Sequence, residues 1–178
     1  MDDKKIVADL KANRPEGAQA LVKTYGDRLL RSAYLLCNNV EDAQEIAQET
    51  MVQAVRSIRR FRGSSALYTW LYGILLNLIR AQRREKNKMS WTYNFPTAKI
   101  STPPDAIYEK LDKELTPLAR ALRMLPIMYR EVLLLRFYEG LDQEEIAKRL
   151  GVPASTVRTR MGRALSQLRK YMKKNETF

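Results

Sequence analysis

Apolar residues recur three and four positions apart through most of this chain, and only seven glycines and seven prolines interrupt its 178 residues. An all-β domain needs a turn roughly every 8 to 12 residues, usually built on glycine, proline or asparagine. The pattern therefore confines the chain to an all-α fold. A hydrophobic fraction of 45% is enough to bury a core. The stretch that loses the period, "NKMSWTYNFPTAKISTPPDA" from Asn87 to Ala106, holds three prolines and reads as a linker. The expected organisation is two small helical domains, 1–87 and 107–178, joined by a flexible linker over 88–106. Helices are expected near 3–12, from Glu16 to Cys37, from Asp42 to Arg60 and from Ser65 to Lys86. In the second half they are expected near 107–124, 127–138, 142–150 and 154–174.

Charge narrows the function. Thirty-two lysines and arginines against 20 acids give a formal charge of +12, which favours a polyanion, with nucleic acid first and an acidic membrane surface second. No apolar run reaches the roughly 18 to 20 residues of a membrane span, and "MDDKKIVADLKANRPEG" lacks the apolar core of a signal peptide. A cytoplasmic protein with no membrane insertion of its own is expected. The chain has one cysteine, Cys37, and no histidine. An internal disulfide is excluded, and zinc binding and histidine acid–base catalysis lose their usual residues. Neither a cofactor nor an enzymatic activity is expected, and Cys37, in the apolar run "AYLLC", reads as a packing residue.

In the third helix Ala43, Ile46, Ala47, Thr50, Ala54 and Ile58 share one stripe, which predicts a core-facing side. The other side carries Asp42, Glu45 and Glu49, followed by Arg56 and Arg60. An acidic patch on a basic chain does not serve DNA; it suits a different, basic partner. The alternative is a solvated face whose acids sit near the helix N-terminus, where the dipole favours them.

The segment "LDQEEIAKRLGVPASTVRTRMGRALSQLRK" combines an amphipathic helix, a tight Gly151-Val152 turn, Pro153 at a helix start and a second helix with a basic face. That is the layout of a helix-turn-helix. Val157, Met161, Ala164, Leu165 and Leu168 are expected on its buried side. Ser155, Thr159, Arg163 and Ser166 point away, with Arg158 at the border, so they can reach a major groove. From Arg158 to Lys174 the basic residues meet no acid, and Lys170 and its neighbours can neutralise phosphates.

The stretch "FRGSSALYTWLYGILLNLIRAQRREKN" joins a small polar loop, several rings and a cluster of cations. Leu67, Trp70, Leu71, Ile74, Leu75, Leu78 and Ile79 are expected in the core. Phe61, Tyr68 and Tyr72 add rings, and Arg80, Arg83, Arg84, Lys86 and Lys88 add charge. Rings with cations suit exposed bases and their backbone.

These residues resemble a known family. "EDAQEIAQETMVQAVRSIRRFRGSSALYTWLYGILLN" is similar to region 2 of the extracytoplasmic-function (ECF) subfamily of bacterial sigma-70-type RNA polymerase sigma factors. "LPIMYREVLLLRFYEGLDQEEIAKRLGVPASTVRTRMGRALSQL" is similar to their region 4, and the order and separation of the two also match. The resemblance implies promoter-specific transcription initiation with core RNA polymerase, through its β′ clamp and β subunits, and an anti-sigma factor as regulator. It implies that Asp42, Glu45, Gln48 and Glu49 meet the β′ clamp. It implies a pocket for a flipped −10 base at Phe61, Arg62, Gly63, Ser64 and Ser65, with Tyr68, Trp70, Asn77, Arg80, Arg83 and Arg84 beside it. By the same resemblance Ser155, Thr156, Arg158, Thr159, Arg163 and Lys170 contact the −35 duplex. The competing reading from the residues alone is a conventional helix-turn-helix regulator whose N-terminal half senses a ligand or dimerises. A third is a helical adaptor that binds only protein, which leaves the basic C-terminal helix without a partner.

Overall fold

A computed structural model describes residues 2–37, 40–92 and 116–175, and these are helical with short connections. They fall in two units, divided within the stretch expected to be a linker. Most of that linker, and residues 107–115 of the first helix expected after it, lie outside the described residues.

The N-terminal unit contains α1 (Asp3–Lys11), α2 (Pro15–Cys37), α3 (Val40–Ser57) and α4 (Leu67–Thr92). α2 packs against the other three. The α1–α2 turn shows how local chemistry fixes the entry to the fold. Asn13 takes the left-handed conformation (φ 54°) and Pro15 starts the next helix, as asparagine tolerates and proline prefers. The buried carboxylate of Asp9 is compensated by the Arg14 guanidinium at 2.9 Å. Gly17 lets α1 and α2 approach so closely that a Cβ there would lie 2.7 Å from the Leu10 backbone nitrogen. At the other end of α1 the Tyr25 hydroxyl donates to the Asp3 carboxylate. Burial, then that acidic acceptor, push the Tyr25 phenol well above its ordinary range, so the hydroxyl keeps its proton.

The stripe expected on α3 is the one observed: Ala43, Ile46, Ala47, Thr50, Ala54 and Ile58 are all buried. Thr50 is tolerated there because its hydroxyl donates to the Ile46 carbonyl at 2.6 Å. The helix ends earlier than expected, at Ser57, and tightens into a 3-10 turn over Ile58–Arg60. Two expectations for α4 need correction. It begins at Leu67 rather than Ser65 and runs to Thr92, past the break expected at Lys86. Its core face is also turned: Leu67, Leu71, Leu75 and Ile79 are buried as expected, but Tyr68, Tyr72 and Leu76 flank them, while Trp70, Ile74 and Leu78 are only half-buried. α4 lies against both α2 and α3, and the Tyr68 hydroxyl is satisfied inside by Ser32 Oγ at 2.9 Å. A tyrosine with a partner can therefore take a core position that hydropathy alone gives to Leu78. Cys37, expected in the core, is half-buried at the end of α2.

The C-terminal unit contains α5 (Pro117–Arg123), α6 (Ile127–Leu133), α7 (Gln143–Leu150) and α8 (Ala154–Asn175). The Thr116 hydroxyl caps α5 by accepting from the Ala119 N–H, and Pro117 fills its first turn. α6 widens into a π-turn over Leu134–Tyr138. α7 opens on a reciprocal capping box, in which Glu145 N–H donates to the Asp142 carboxylate and Asp142 N–H donates to Glu145, both at 2.8 Å. It closes on Gly151 in the left-handed conformation (φ 64°), with the Val152 N–H returning to the Ala147 carbonyl. The next helix leaves from Pro153. α8 packs on α5, α6 and α7 around Ala121, Leu125, Val132, Leu135, Ile146, Leu150, Val157 and Ala164. Among the described residues no helix is long and apolar enough to cross a membrane.

Candidate nucleic-acid and protein interfaces

Three surfaces carry the expected chemistry, two on the N-terminal unit and one on the C-terminal unit. On α3, burial of the apolar stripe leaves the acids outside: Glu45 and Gln48 are exposed, and Asp42 and Glu49 are half-buried. The four are not equivalent. Asp42 accepts from the Gln82 side-chain amide at 3.1 Å, which ties α3 to α4. Glu49 accepts from Gln53 one turn on at 3.2 Å. Glu45 and Gln48 project furthest into solvent.

The loop after the 3-10 turn presents Arg62, Gly63, Ser64 and Ser65, all exposed, with Gly63 at φ 74° in the left-handed region that favours glycine. Its small side chains leave a cleft of about 450 Å³ between the loop and the start of the chain. The rings behind the loop are support rather than surface. Phe61 is only 8% exposed and tilts against Trp70 with 5.3 Å between ring centroids. Tyr68 is 4% exposed, its hydroxyl bonds Ser32 and the Arg28 guanidinium lies 3.6 Å over its ring. The face of Tyr68 is thus covered by a cation and its hydroxyl is engaged inside the core, so this ring stands behind the loop rather than on its surface. Trp70 is half-buried. Along α4, Asn77, Arg83 and Arg84 are exposed and Arg80 is half-buried, with an interaction of its own inside the fold. Arg83 and Arg84 thus continue a cationic track along α4, while Lys86 and Lys88 fall where the side chains are not described. The sequence reading missed Lys11, whose ammonium donates to the Phe61 carbonyl at 3.1 Å across 50 residues of chain. Nothing in the local pattern signals a contact between segments so far apart.

On α8, Ser155, Arg158, Thr159, Arg163, Ser166 and Lys170 are exposed on one side, and Thr156 is half-buried. Val157 and Ala164 are buried and Met161 and Leu168 half-buried, whereas Leu165, expected inside, is 40% exposed and belongs to the outer side. The Thr159 hydroxyl donates to the Ser155 carbonyl at 3.0 Å. Arg158 borders a cleft with Arg136 and Asp142 at the start of α7. Arg136 is held there by donating to the Leu141 carbonyl at 3.1 Å. Gln143 bonds the Ala154 carbonyl at 3.0 Å, which fixes the start of α8 against α7. A rigid two-helix frame with cations on the outer helix can place side chains in a major groove.

Residues 21–89 match the family model described as Sigma-70 region 2, and residues 115–168 match that of Sigma-70, region 4. The chain is 30% identical over 182 residues to ECF RNA polymerase sigma factor SigW of Bacillus subtilis, covering 96% of each. It is 35% identical over 162 residues to ECF RNA polymerase sigma factor SigE of Mycolicibacterium smegmatis, covering 88% of this chain and spanning 62% of that relative. A solved structure with a similar fold is the sigma factor RpoE of Bartonella quintana in complex with the anti-sigma factor NepR. The TM-score is 0.67 at 24% identity, over 87% of this chain and 96% of that one.

Proposed function

We propose that this chain, which belongs to the extracytoplasmic-function subfamily of sigma-70-type RNA polymerase sigma factors, binds core RNA polymerase and directs it to promoters by contacting DNA with both units. The observation that carries the proposal is the separation of charge on a chain of formal charge +12: acids lie outside on α3, whereas α4 and α8 expose arginines and lysines. A surface for a basic protein partner and two surfaces for nucleic acid are thereby kept apart.

In this reading Glu45, Gln48 and Glu49 meet the β′ clamp, and Asp42 chiefly braces α3 against α4. The loop over Phe61, Arg62, Gly63, Ser64 and Ser65 holds a base drawn out of the −10 non-template strand, and Asn77, Arg83 and Arg84 follow its backbone. Extruding a base costs a few kcal/mol, so a pocket that binds it favours the open promoter. α8 reads the −35 duplex through Ser155, Arg158, Thr159 and Arg163, with Lys170 on phosphate. Residues 1–87 and 107–178 act as the two functional domains and 88–106 as the linker between them. The chain performs no catalysis, works in the cytoplasm with the polymerase, and is restrained by an anti-sigma factor, as RpoE is bound by NepR in its crystal.

The test is transcription with purified core polymerase on a normal promoter template and on one pre-melted across the −10 element. Bulkier residues at Ser64 and Ser65 are expected to abolish most activity on both, because pre-melting removes the unstacking cost but does not reopen a filled pocket. Rescue by pre-melting would mean that the loop separates strands without holding a base. A chain that fails to activate core polymerase on any template, and binds operator duplex as a dimer, would be a conventional regulator instead.

A further inference from the structure

The cleft beside the loop has a second wall that lies outside the segment matched by the region 2 model, which begins at residue 21. That wall is α1. From α1 the cleft is lined by Lys4, Val7, Ala8 and Lys11, and from the loop side by Arg62, Ala66 and Leu67. Asp3 also lines the cleft, but its carboxylate is engaged by the Tyr25 hydroxyl.

We propose that α1 is part of the DNA site, and that the cleft between α1 and the loop encloses one unpaired nucleotide. The base lies between Val7 and Ala8 on one side and the loop on the other, and Lys4 and Arg62 meet the flanking phosphates. Lys11 is a positioning residue. This rests on the sigma-factor reading above and adds to it the wall that completes the pocket.

The chemistry of the cleft selects its occupant. A nucleotide is a flat ring with apolar faces attached to an anion, and the cleft is lined by apolar Val7, Ala8, Ala66 and Leu67 together with the cations Lys4, Lys11 and Arg62. A base pair inside a stacked duplex cannot enter a cleft between a helix and a loop; an unpaired base can. A surface lysine ordinarily keeps its ammonium in water, yet Lys11 places its own on the Phe61 carbonyl. That bond holds the first residue of the loop at a fixed distance from α1. α1 is itself anchored at both ends, by Tyr25 on Asp3 and by the Asp9–Arg14 ion pair beside Gly17. The cleft is thus bounded by one wall locked to the core and one loop locked to that wall, so little ordering remains to oppose binding.

The experiment uses the chain assembled with core polymerase. Fluorescent single-stranded oligonucleotides of random sequence are selected for retention, and the best is rebuilt with an abasic site at each position in turn. The wild-type complex should lose affinity sharply at one position. Ala8→Phe fills the cleft from an exposed helical site outside the core. It should weaken binding by about 5- to 150-fold, the range of one stacked base, and erase the abasic penalty. Lys11→Met should reduce the same penalty and Lys11→Arg restore it, with circular dichroism and −35 duplex binding unchanged. Ala8→Phe with full affinity and an intact abasic penalty would overturn the proposal, leaving the base elsewhere on the loop. Weaker binding that is equal with and without the abasic site would also overturn it, because the cleft would then hold backbone or a protein segment. If the wild-type complex does not prefer single strands to duplex at all, the sigma-factor reading itself fails.

Discussion

Gly17 and Gly26 stand on the same helix, and replacing each by alanine should move stability in opposite directions. At Gly17 the new Cβ would sit 2.7 Å from the Leu10 nitrogen, 2.9 Å from the Asp9 carbonyl carbon and 3.0 Å from Asp9 Cβ. Comfortable contact begins near 3.5 Å, so α1 must withdraw by roughly 0.8 Å, and a gap of 0.5 to 1 Å forfeits about a quarter to a half of each dispersion contact it opens. The atoms in the way are mainly backbone, which no rotamer change can move aside. Overpacking of this kind costs about 1 to 3 kcal/mol, and rigid backbone puts Gly17 toward the upper end. The gain in helix propensity, at most about 1 kcal/mol, offsets part of it. Gly17→Ala should therefore destabilise the N-terminal unit by about 1 to 2 kcal/mol. At Gly26 the new Cβ meets only Val22 Cγ1, at an ordinary 3.7 Å, and Gly26→Ala should stabilise by up to about 1 kcal/mol. Neither tryptophan, Trp70 or Trp91, falls in the C-terminal unit, so fluorescence in urea follows unfolding of the N-terminal unit through Trp70. With a slope of about 2 kcal/mol/M, the Gly17 variant should melt roughly 0.5 to 1 M earlier and the Gly26 variant up to roughly 0.5 M later. Equal midpoints, or a more stable Gly17 variant, would show that α1 does not lie as tightly on α2 as described.

Reversing Glu45 and Glu49 to lysine should weaken competition for core polymerase by at least about tenfold through like-charge juxtaposition, with an unchanged circular dichroism spectrum; normal competition would remove α3 from the polymerase surface. Alanine at Arg158 or Arg163 should cost about 1 to 3 kcal/mol and relax one −35 position, whereas Lys170→Ala should weaken all sequences and lower the salt slope by about 0.9. Equal losses on every −35 variant would make both arginines phosphate contacts, a role that also suits Arg158 in a cleft it lines together with Arg136. Gly162→Ala meets nothing within 4 Å and should stabilise α8 by about 1 kcal/mol, slowing its amide exchange about fivefold. No slowing would mean that α8 opens only together with the rest of its unit.

What the sequence made legible were features written within one turn or one helix. The α3 stripe, the Gly151-Val152-Pro153 corner and the exposed line of Ser155, Thr159 and Arg163 all follow from spacing along a single element. The misjudged positions depend on neighbours. Spacing alone leaves open which of Phe61, Tyr68 and Tyr72 are exposed, and it is Ser32, on another helix, that supplies the bond that lets Tyr68 go inside. Leu165 read as core from its period alone, yet the packing of α5, α6 and α7 leaves it exposed. The role of α1 was invisible for the same reason. Its contact to Phe61 joins residues 50 apart.

In the proposed reading the aromatic residues behind the loop serve DNA binding better buried than they would exposed. An exposed ring offers stacking to any base, but a mobile loop must be ordered each time it binds, and that loss of entropy opposes the gain. Here Phe61 is clasped by Trp70 and by the Lys11 tether, and Tyr68 is fixed between Arg28, Ser32 and Tyr72. The small residues that line the cleft from the loop, Gly63 and Ser65, leave it open. Recognition can then reside in the shape of a cleft formed before the DNA arrives. The α1 anchor and the aromatic floor become one device, and loosening either should weaken the capture of a single base before it weakens the fold.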